Sequence, residues 1–505
     1  MSEFNLVDEP WIPIVDKGNV SLLQVFSDTT LKGLGGNPAE KISLFKLLLA
    51  IAQSAWTPTD DKEWSSGEEF TLSERCQDYL RKNRRLFDLY GDRPFLQMPA
   101  ILMAEKCSFG VVLPEVSTGN TTILTHYQVE KALYTDAEKA LILVQLMGFA
   151  LGGKKTDNTV VLSHGYTGKQ NDKGKPSTGK PGPFVGFKGF LHSFLWGQTL
   201  GKTIWMNLWT QEDISAAKYF SEGLGVPPWE EMPKGEDCPV ARRLKNSLMG
   251  RLVPLSRFCF LEGEEVHYSE GIFHLDYKDG GRDPSVAYEL TGHGAKPFWV
   301  DPEMRPWRRL TALLSFVFRQ STTSVECFQL GAPLKRVARG LEEFGVWSGG
   351  LSVSSNAGEQ YVSGGNDYVE SIVYLTGSDL NASWFEHLQL EMKNLEDLAK
   401  VLYLATLGYY RDQKEEPRQS KRHAGMAQNV FWQLCERRFQ DLVDSCDESE
   451  KVKDLRRQFA SALFSAFDNQ CPKETPRQLD AWAKRRPMLR DYLRHSFQIE
   501  EGVLV

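Results

Sequence analysis

Apolar positions along this chain recur at helical and at extended spacing, and the pattern changes character once. Within the stretch Glu115–Lys155, Ala140, Leu141, Val144, Met147, Gly148 and Leu151 repeat every three to four residues, the interval of one helix face. Thr135-x-x-Glu138 ahead of them is a capping box. Gly152 stands where a left-handed C-cap belongs. The pattern therefore predicts a helical rod of roughly 24 Å at 1.5 Å per residue. It would hold apart two loops, the polar Ser117–Thr122 and the segment Gly153-Lys154-Lys155.

Elsewhere in the first three quarters the pattern is mixed. Phe4–Ile14 reads as extended, since Pro10 and Pro13 forbid a helix, and Val20–Val25 reads as its return strand. Gly33–Pro38 leads into an apolar helix, Ala39–Ala55, and Phe87–Gln97 is a loop with an aromatic anchor. Thr203–Trp209 reads as a buried strand, and Phe273–Lys278 as a strand running into the turn Asp279-Gly280-Gly281. Pro306–Gln320 is expected to be helical, and Gly349-Gly350 to open the polar loop Leu351–Gln360. Past Gly377 four helical stretches follow: Trp384–Leu407, Ala424–Val443, Glu448–Phe467 and Pro476–His495. The fold class read from this is α+β, a large mixed globular domain over 1–377 followed by a C-terminal four-helix bundle over 378–505.

Composition narrows the function classes. A chain of 505 residues can bury more than one core. No apolar run reaches the ~18 residues of a membrane span, and MSEFNLVDEPW has no signal-peptide character. Eight cysteines without a C-x-x-C pair argue against a zinc knuckle or a disulfide framework and suit a cytoplasmic protein. The net charge of −7 lies wholly before Asn381, because acidic and basic residues balance after it. Contact with a polyanion would therefore need local patches. One is the lysine-rich stretch 154–188, with Lys154, Lys155, Lys169, Lys173, Lys175, Lys180 and Lys188. Others are Arg418/Lys421/Arg422 and Lys484/Arg485/Arg486/Arg490 on the expected bundle.

Catalytic chemistry finds no support. Gly197 to Gly201 encloses one residue too few for a phosphate-binding P-loop. The glycines at 33–36 read as a tight turn onto a core helix. The histidines form no H-x-x-x-H or H-D pair, and Asp279 and Asp283 flank a turn. No catalytic residue, metal or cofactor is expected. Two other classes stay open: an enzyme using a glycine-loop nucleotide site, and a purely structural scaffold.

Four segments in order, NLVDEPWIPI, LPEVSTGNTTILTH, QLMGFALGGKK and GGLSVSSNAGEQYVSGGNDYVES, together with the length and the late helical bundle, resemble the CasA family. That family is the large subunit of the type I-E CRISPR surveillance complex, Cascade. The resemblance implies a non-enzymatic subunit partnered with guide RNA, double-stranded target DNA, the other subunits including the small-subunit dimer, and a helicase–nuclease. It implies reading of a protospacer-adjacent motif from the minor groove by a glycine loop, a reaching lysine and a wedge. It further implies that strand separation begins there and that the bundle helps hold the displaced strand. Carried onto this chain, the glycine loop is Gly152-Gly153 with Lys154 beside it, and the reaching lysine is Lys278, with Lys296 as the other candidate. The wedge follows Gly350 at Ser355-Asn356-Ala357, its register open because the first glutamine is Gln360. Ile123-Leu124-Thr125-His126 would dock at the RNA handle and the adjoining subunit. Lys484, Arg485 and Arg486 would form the strand-holding patch.

Overall fold

The computed structural model describes residues 4–114, 133–153, 156, 157, 160, 180–292, 294–318, 324–340, 343–356, 359–362, 367–377, 380–489 and 492. They divide into two units, Met1–Ile372 and Val373–Val505.

The first unit is organised on the helix Pro38–Ala55. The Asn37 side chain caps Glu40 N, Glu40 returns its carboxylate to Asn37 N, and Pro38 occupies the first turn. Every residue from Ile42 to Gln53 is buried, as suits a helix apolar all round. The two long polar side chains of this buried stretch are matched. Gln53 accepts from Trp209 N at 2.7 Å and donates to Trp209 O at 3.2 Å, while Lys46 Nζ meets Asp283 Oδ2 at 2.6 Å.

Against it packs the helix Asp136–Gly148, which opens on the expected Thr135/Glu138 capping box. It does not run to Gly152. Phe149 is its cap, because the segment 180–190 takes over the terminal carbonyls: Phe184 N donates to Gly148 O at 3.0 Å, and Gly182 N to Ala150 O at 2.6 Å.

The sheets are small and antiparallel. His192–Trp196 pairs with Glu343–Leu351, and Glu265–Glu270 lies between Lys106–Ser108 and Arg257–Glu262. Tyr288–Thr291 lies between Gly294–Pro297 and Ser324–Glu326. Four local expectations need correction. Ser21 and Gln24 form a capping box, so Leu22–Ser27 is a helix and the strand is confined to Gly18–Val20. Thr199 caps a helix over Leu200–Met206, in place of the strand expected over 203–209. Phe273–Lys278 is no strand, because the Asp276 side chain accepts from Lys278 N and starts the short 3₁₀ turn Tyr277–Asp279. Gly349-Gly350 lies inside the strand Glu343–Leu351, where a Cβ on Gly350 would come 2.5 Å from Phe190 O. The polar segment begins only afterwards and folds as the hairpin Ser354–Asn356/Glu359–Tyr361.

The second unit is helical: Ala382–Asp412, Pro417–Glu436, Phe439–Ser445, Ser449–Gln470 and Pro476–Arg485. The expected helix over 424–443 is thus divided near Arg437-Arg438, with the break absorbed by a separate short helix. Trp384, Leu388, Met392, Leu395, Leu398 and Leu402 form the buried stripe of the longest helix. On the same helix Glu391, 3 % exposed, is matched by Arg456 at 2.9 Å.

Candidate nucleic-acid interface

Two of the segments singled out by sequence meet in space. Gly152 N donates to Gln360 Oε1 at 3.1 Å, and Gln360 N donates to Gly152 O at 3.0 Å. The glycine loop is thereby tied to the second strand of the hairpin. The left-handed backbone falls on Gly153, φ +122°, and a Cβ there would stand 3.0 Å from Glu359 Cα. Glycine is required at 153 for both reasons.

Gln360 itself does not project. It is 7 % exposed, and its amide nitrogen donates to Gly186 O at 2.8 Å and Phe187 O at 3.1 Å. All its bonding capacity toward neighbours is spent on positioning. Ser355 is exposed on the first strand of the hairpin. Asn356 ends that strand, and Ala357 lies outside the described residues.

Lys278 stands exposed on the 3₁₀ turn, fixed from below on three sides. Asp276 caps the turn, Gly280 closes it at φ +89°, and Arg282 holds Tyr277 O and Gly281 O at 3.3 and 3.0 Å. Tyr277 packs edge-on against Phe190 and Trp299, which stack on each other at 5.0 Å. Lys296, also exposed, lies opposite Glu289 in the hairpin Tyr288–Pro297. The strand that carries it packs on the Lys278 turn, and its Ala295, next to Lys296, lies against the same cluster as Tyr277. Ile123, Leu124, Thr125, His126 and Lys154 lie outside the described residues.

Sequence reasoning missed the groups that hold these parts. Arg257, 3 % exposed, donates to Leu151 O at 3.1 Å and to Lys180 O at 2.5 Å, two carbonyls far apart in the chain. It also reaches Ser256 O and Tyr268 Oη. The segment 180–190 touches the helix end, the Gln360 hairpin and the Tyr277 cluster in turn. Only its glycine density hinted at this. A Cβ on Gly189, φ +95°, would collide with Leu351 O.

The basic patch of the second unit differs from expectation. Arg485 is bound bidentately by Asp412 at 2.7 and 2.8 Å. Arg486 reaches Asp468 at 3.4 Å and lies over Trp482 at 4.5 Å. Lys484 is the open member, 3.9 Å from Asp480 with two thirds of its side chain exposed. The two arginines serve packing within the unit before any outside partner.

One buried constellation has the composition of a nucleophile and base. His192 Nδ1 lies 2.8 Å from Ser285 Oγ, which donates to Asp283 Oδ1 at 2.8 Å. Ser285 and His192 are fully buried, and His192 Nε2 is bonded to Phe184 O at 2.8 Å. No substrate reaches this hydroxyl. Burial pushes His192 down to about 4, against the pull of Asp283, and lowers Lys46 to about 8. Burial alone would raise Asp283, but Lys46 and His192 bring it below the usual carboxylate range. The cluster ties the central helix to the strand His192–Trp196. Among the described residues no group of three His, Cys, Asp or Glu could hold a metal, and no helix is long and apolar enough to cross a membrane.

Small antiparallel sheets around a buried helix, with a glycine loop latched to a hairpin and a following helical unit, define a class for which relatives are known. The model of the family CRISPR-associated protein Cse1 matches residues 5–469, and the chain belongs to that family. A CasA/Cse1 protein of Thermus thermophilus is 29 % identical over 341 residues, which span 62 % of this chain and 61 % of that relative. A solved structure of Thermus thermophilus CasA has a TM-score of 0.73 at 20 % identity, covering 98 % of this chain and all of that one. Thermobifida fusca Cse1 gives 0.72 at 18 %, covering 98 % of each chain. A chain of a CRISPR RNA-guided surveillance complex gives 0.66 at 16 %, covering 96 % and 99 %.

Proposed function

We propose that this chain is the non-catalytic large subunit of a type I-E Cascade complex, and that it reads a protospacer-adjacent motif in duplex DNA. The observation that carries the reading is the Gln360 latch, which holds the glycine loop and the hairpin as one body. A minor groove is about 6 Å wide and shows nearly the same acceptors for A·T and T·A. An element entering it must be thin and its reading tolerant. Gly152-Gly153 is the thin element, but both glycines are buried and Gly152 spends its N–H and C=O on Gln360, so its part is to hold the hairpin in place; Lys278 (or Lys296) supplies the reaching ammonium, and the hairpin at Ser355-Asn356-Ala357 begins strand separation. Guide pairing reads the remaining sequence. On this reading Ile123–His126 docks at the RNA handle. The bundle meets the small-subunit dimer and helps stabilise the displaced strand through Lys484, and the assembled complex recruits the helicase–nuclease. The family membership supports each of these roles, and a cytoplasmic site of action goes with them.

The test is motif-dependent duplex binding by the assembled complex, for Gly153→Asp and Lys278→Ala, with folding checked by thermal melt. Gly153→Asp is expected to abolish preference for motif-bearing duplex. Lys278→Ala is expected to weaken binding. If both variants fold and discriminate as wild type does, the loop and the turn are not the readers.

A further inference from the structure

Phe187 is 52 % exposed, yet its backbone is held from several sides. It stands with Lys188 at the tip of a turn closed by the bond from Phe190 N to Val185 O at 2.8 Å. The flanking positions need glycine. Gly186 has φ +61°, and a Cβ there would lie 2.6 Å from the Phe190 ring; Gly189, φ +95°, leaves no room beside Leu351 O. Both carbonyls of the tip are bonded. Phe187 O accepts from the Gln360 amide nitrogen at 3.1 Å, and Lys188 O accepts from Val353 N at 3.1 Å. The turn is therefore pinned to the hairpin just before its first strand and in the middle of its second.

The ring gains nothing from this support. Phe187 makes no ring or cation contact with any described residue, and Lys188 is exposed without an ion pair among them. A single exposed apolar side chain is ordinary on a protein surface; its place in the fold is what distinguishes this one. Ser355 is the cross-strand partner of Gln360, so the two side chains share one face of the hairpin. From that face Gln360 reaches Phe187 O. At the end of the turn Phe190 stacks on Trp299 and meets edge-on Tyr277, the residue before Lys278. The turn that carries Phe187 thus joins the hairpin to the lysine turn.

We propose that Phe187 stacks on an unpaired base of target DNA beside the hairpin. The inference rests on the nucleic-acid reading above and adds to it a residue that keeps separated strands apart. A base that leaves its partner loses stacking as well as pairing, and an aromatic face restores the stacking whatever the base. The ring has little freedom left to lose on binding, because the backbone beneath it is already fixed. The exposed ammonium of Lys188 beside it suits a phosphate-bearing ligand. It suits the core of a protein interface less, since such cores are depleted of charge.

The test is the affinity of the assembled complex for motif-bearing DNA whose first base pairs beyond the motif are left unpaired. An abasic nucleotide is moved through those positions on each strand in turn. One abasic position is expected to weaken wild-type binding about tenfold, and Phe187→Ala to do the same on the intact DNA. The two together should weaken it no further, because each removes the same contact. Phe187→Trp should retain affinity, whereas Phe187→Leu, apolar but without a ring face, should behave as alanine does. The thermal melt of the free chain should not change in any of the three, since the ring has no partner to lose. Additive losses, or Phe187→Ala or Phe187→Leu binding as tightly as wild type while motif preference persists, overturn the inference and leave the motif reading standing. Absence of motif preference in the wild-type complex overturns both. Failure of Phe187→Ala to assemble would assign the ring to a protein contact and overturn the stacking.

Discussion

Replacing Gln360 separates a positioning role from mere filling of space. Its amide makes three side-chain hydrogen bonds: one accepted from Gly152 N and two donated to Gly186 O and Phe187 O. At a net ~0.5–1.5 kcal/mol each, losing all three in Gln360→Ala costs the docked hairpin about 2–4 kcal/mol. Gln360→Glu keeps shape and the acceptor, but turns a carboxylate oxygen toward two carbonyl oxygens at the same distances. It should therefore be at least as damaging as alanine, although it is nearly isosteric. The hairpin can undock locally, so global stability understates the loss. Hydrogen exchange at the amides of Gly152 and Gln360, which report the two faces of the latch, is the direct assay. At 1.4 kcal/mol per tenfold, exchange should speed up roughly thirty-fold to several hundred-fold. If Gln360→Glu protects both amides as wild type does, the latch is not a hydrogen-bonded device and the two segments are held by something else.

Gly153→Ala should destabilise docking of the glycine loop more than Gly91→Ala destabilises its own turn. Both positions have strongly positive φ, but only a Cβ at 153 meets a neighbour, Glu359; equal shifts in thermal melts would refute this. Acid should unfold the first unit through His192. Its folded pKa of about 4 lies below the ordinary 6.5, so the contribution is present above pH 6.5 and lost as pH falls toward 4. At 1.36 kcal/mol per unit the loss by pH 4 is about 3 kcal/mol, and His274 acts in the same direction. Urea titrations across this window should show His192→Gln flattening the dependence, and an unchanged slope would count against it. Arg485→Ala should lower the melting temperature of the chain, because it breaks the bidentate pair with Asp412, whereas Lys484→Ala should leave it unchanged. On assembled complexes Lys484→Ala should weaken retention on target DNA, less so at high salt; equal behaviour of the two variants in the melt would refute the division of roles.

What the sequence disclosed follows from the range of the interactions involved. The Thr135/Glu138 capping box and the helix Pro38–Ala55 were legible because their signals lie within four residues of one another. The strand readings of 20–25, 203–209 and 273–278 failed for a related reason. Ser21, Thr199 and Asp276 each start a helical turn through a side-chain cap, and a cap outweighs a short alternation of apolar residues. The end of the helix at Gly148 was not legible, because it is decided by donors from Gly182 and Phe184, far along the chain. Gly152-Gly153 and the segment after Gly350 could each be found as motifs. That they touch could not, because Gln360 looks like any exposed polar residue in a loop until its three partners are known. Arg257 left no local signature at all.

The arrangement answers a problem inherent in glycine. A loop made thin enough for a narrow groove has no side chains with which to hold itself, and free glycine costs more ordering entropy than any other residue. Its rigidity must come from outside, through backbone groups. That is what Arg257 supplies at Leu151 O, and Gln360 at both the amide and the carbonyl of Gly152. Arg257 also closes the chain between Leu151 and Lys180. Loop-closure entropy grows only with the logarithm of length, so such a clamp tolerates long insertions between its feet. On the proposed reading, variation of charge or length between these two points would tune attraction to a polyanion without moving the glycines. The clamp has no comparable freedom, since a guanidinium that satisfies carbonyls from two separated segments cannot be replaced by a lysine.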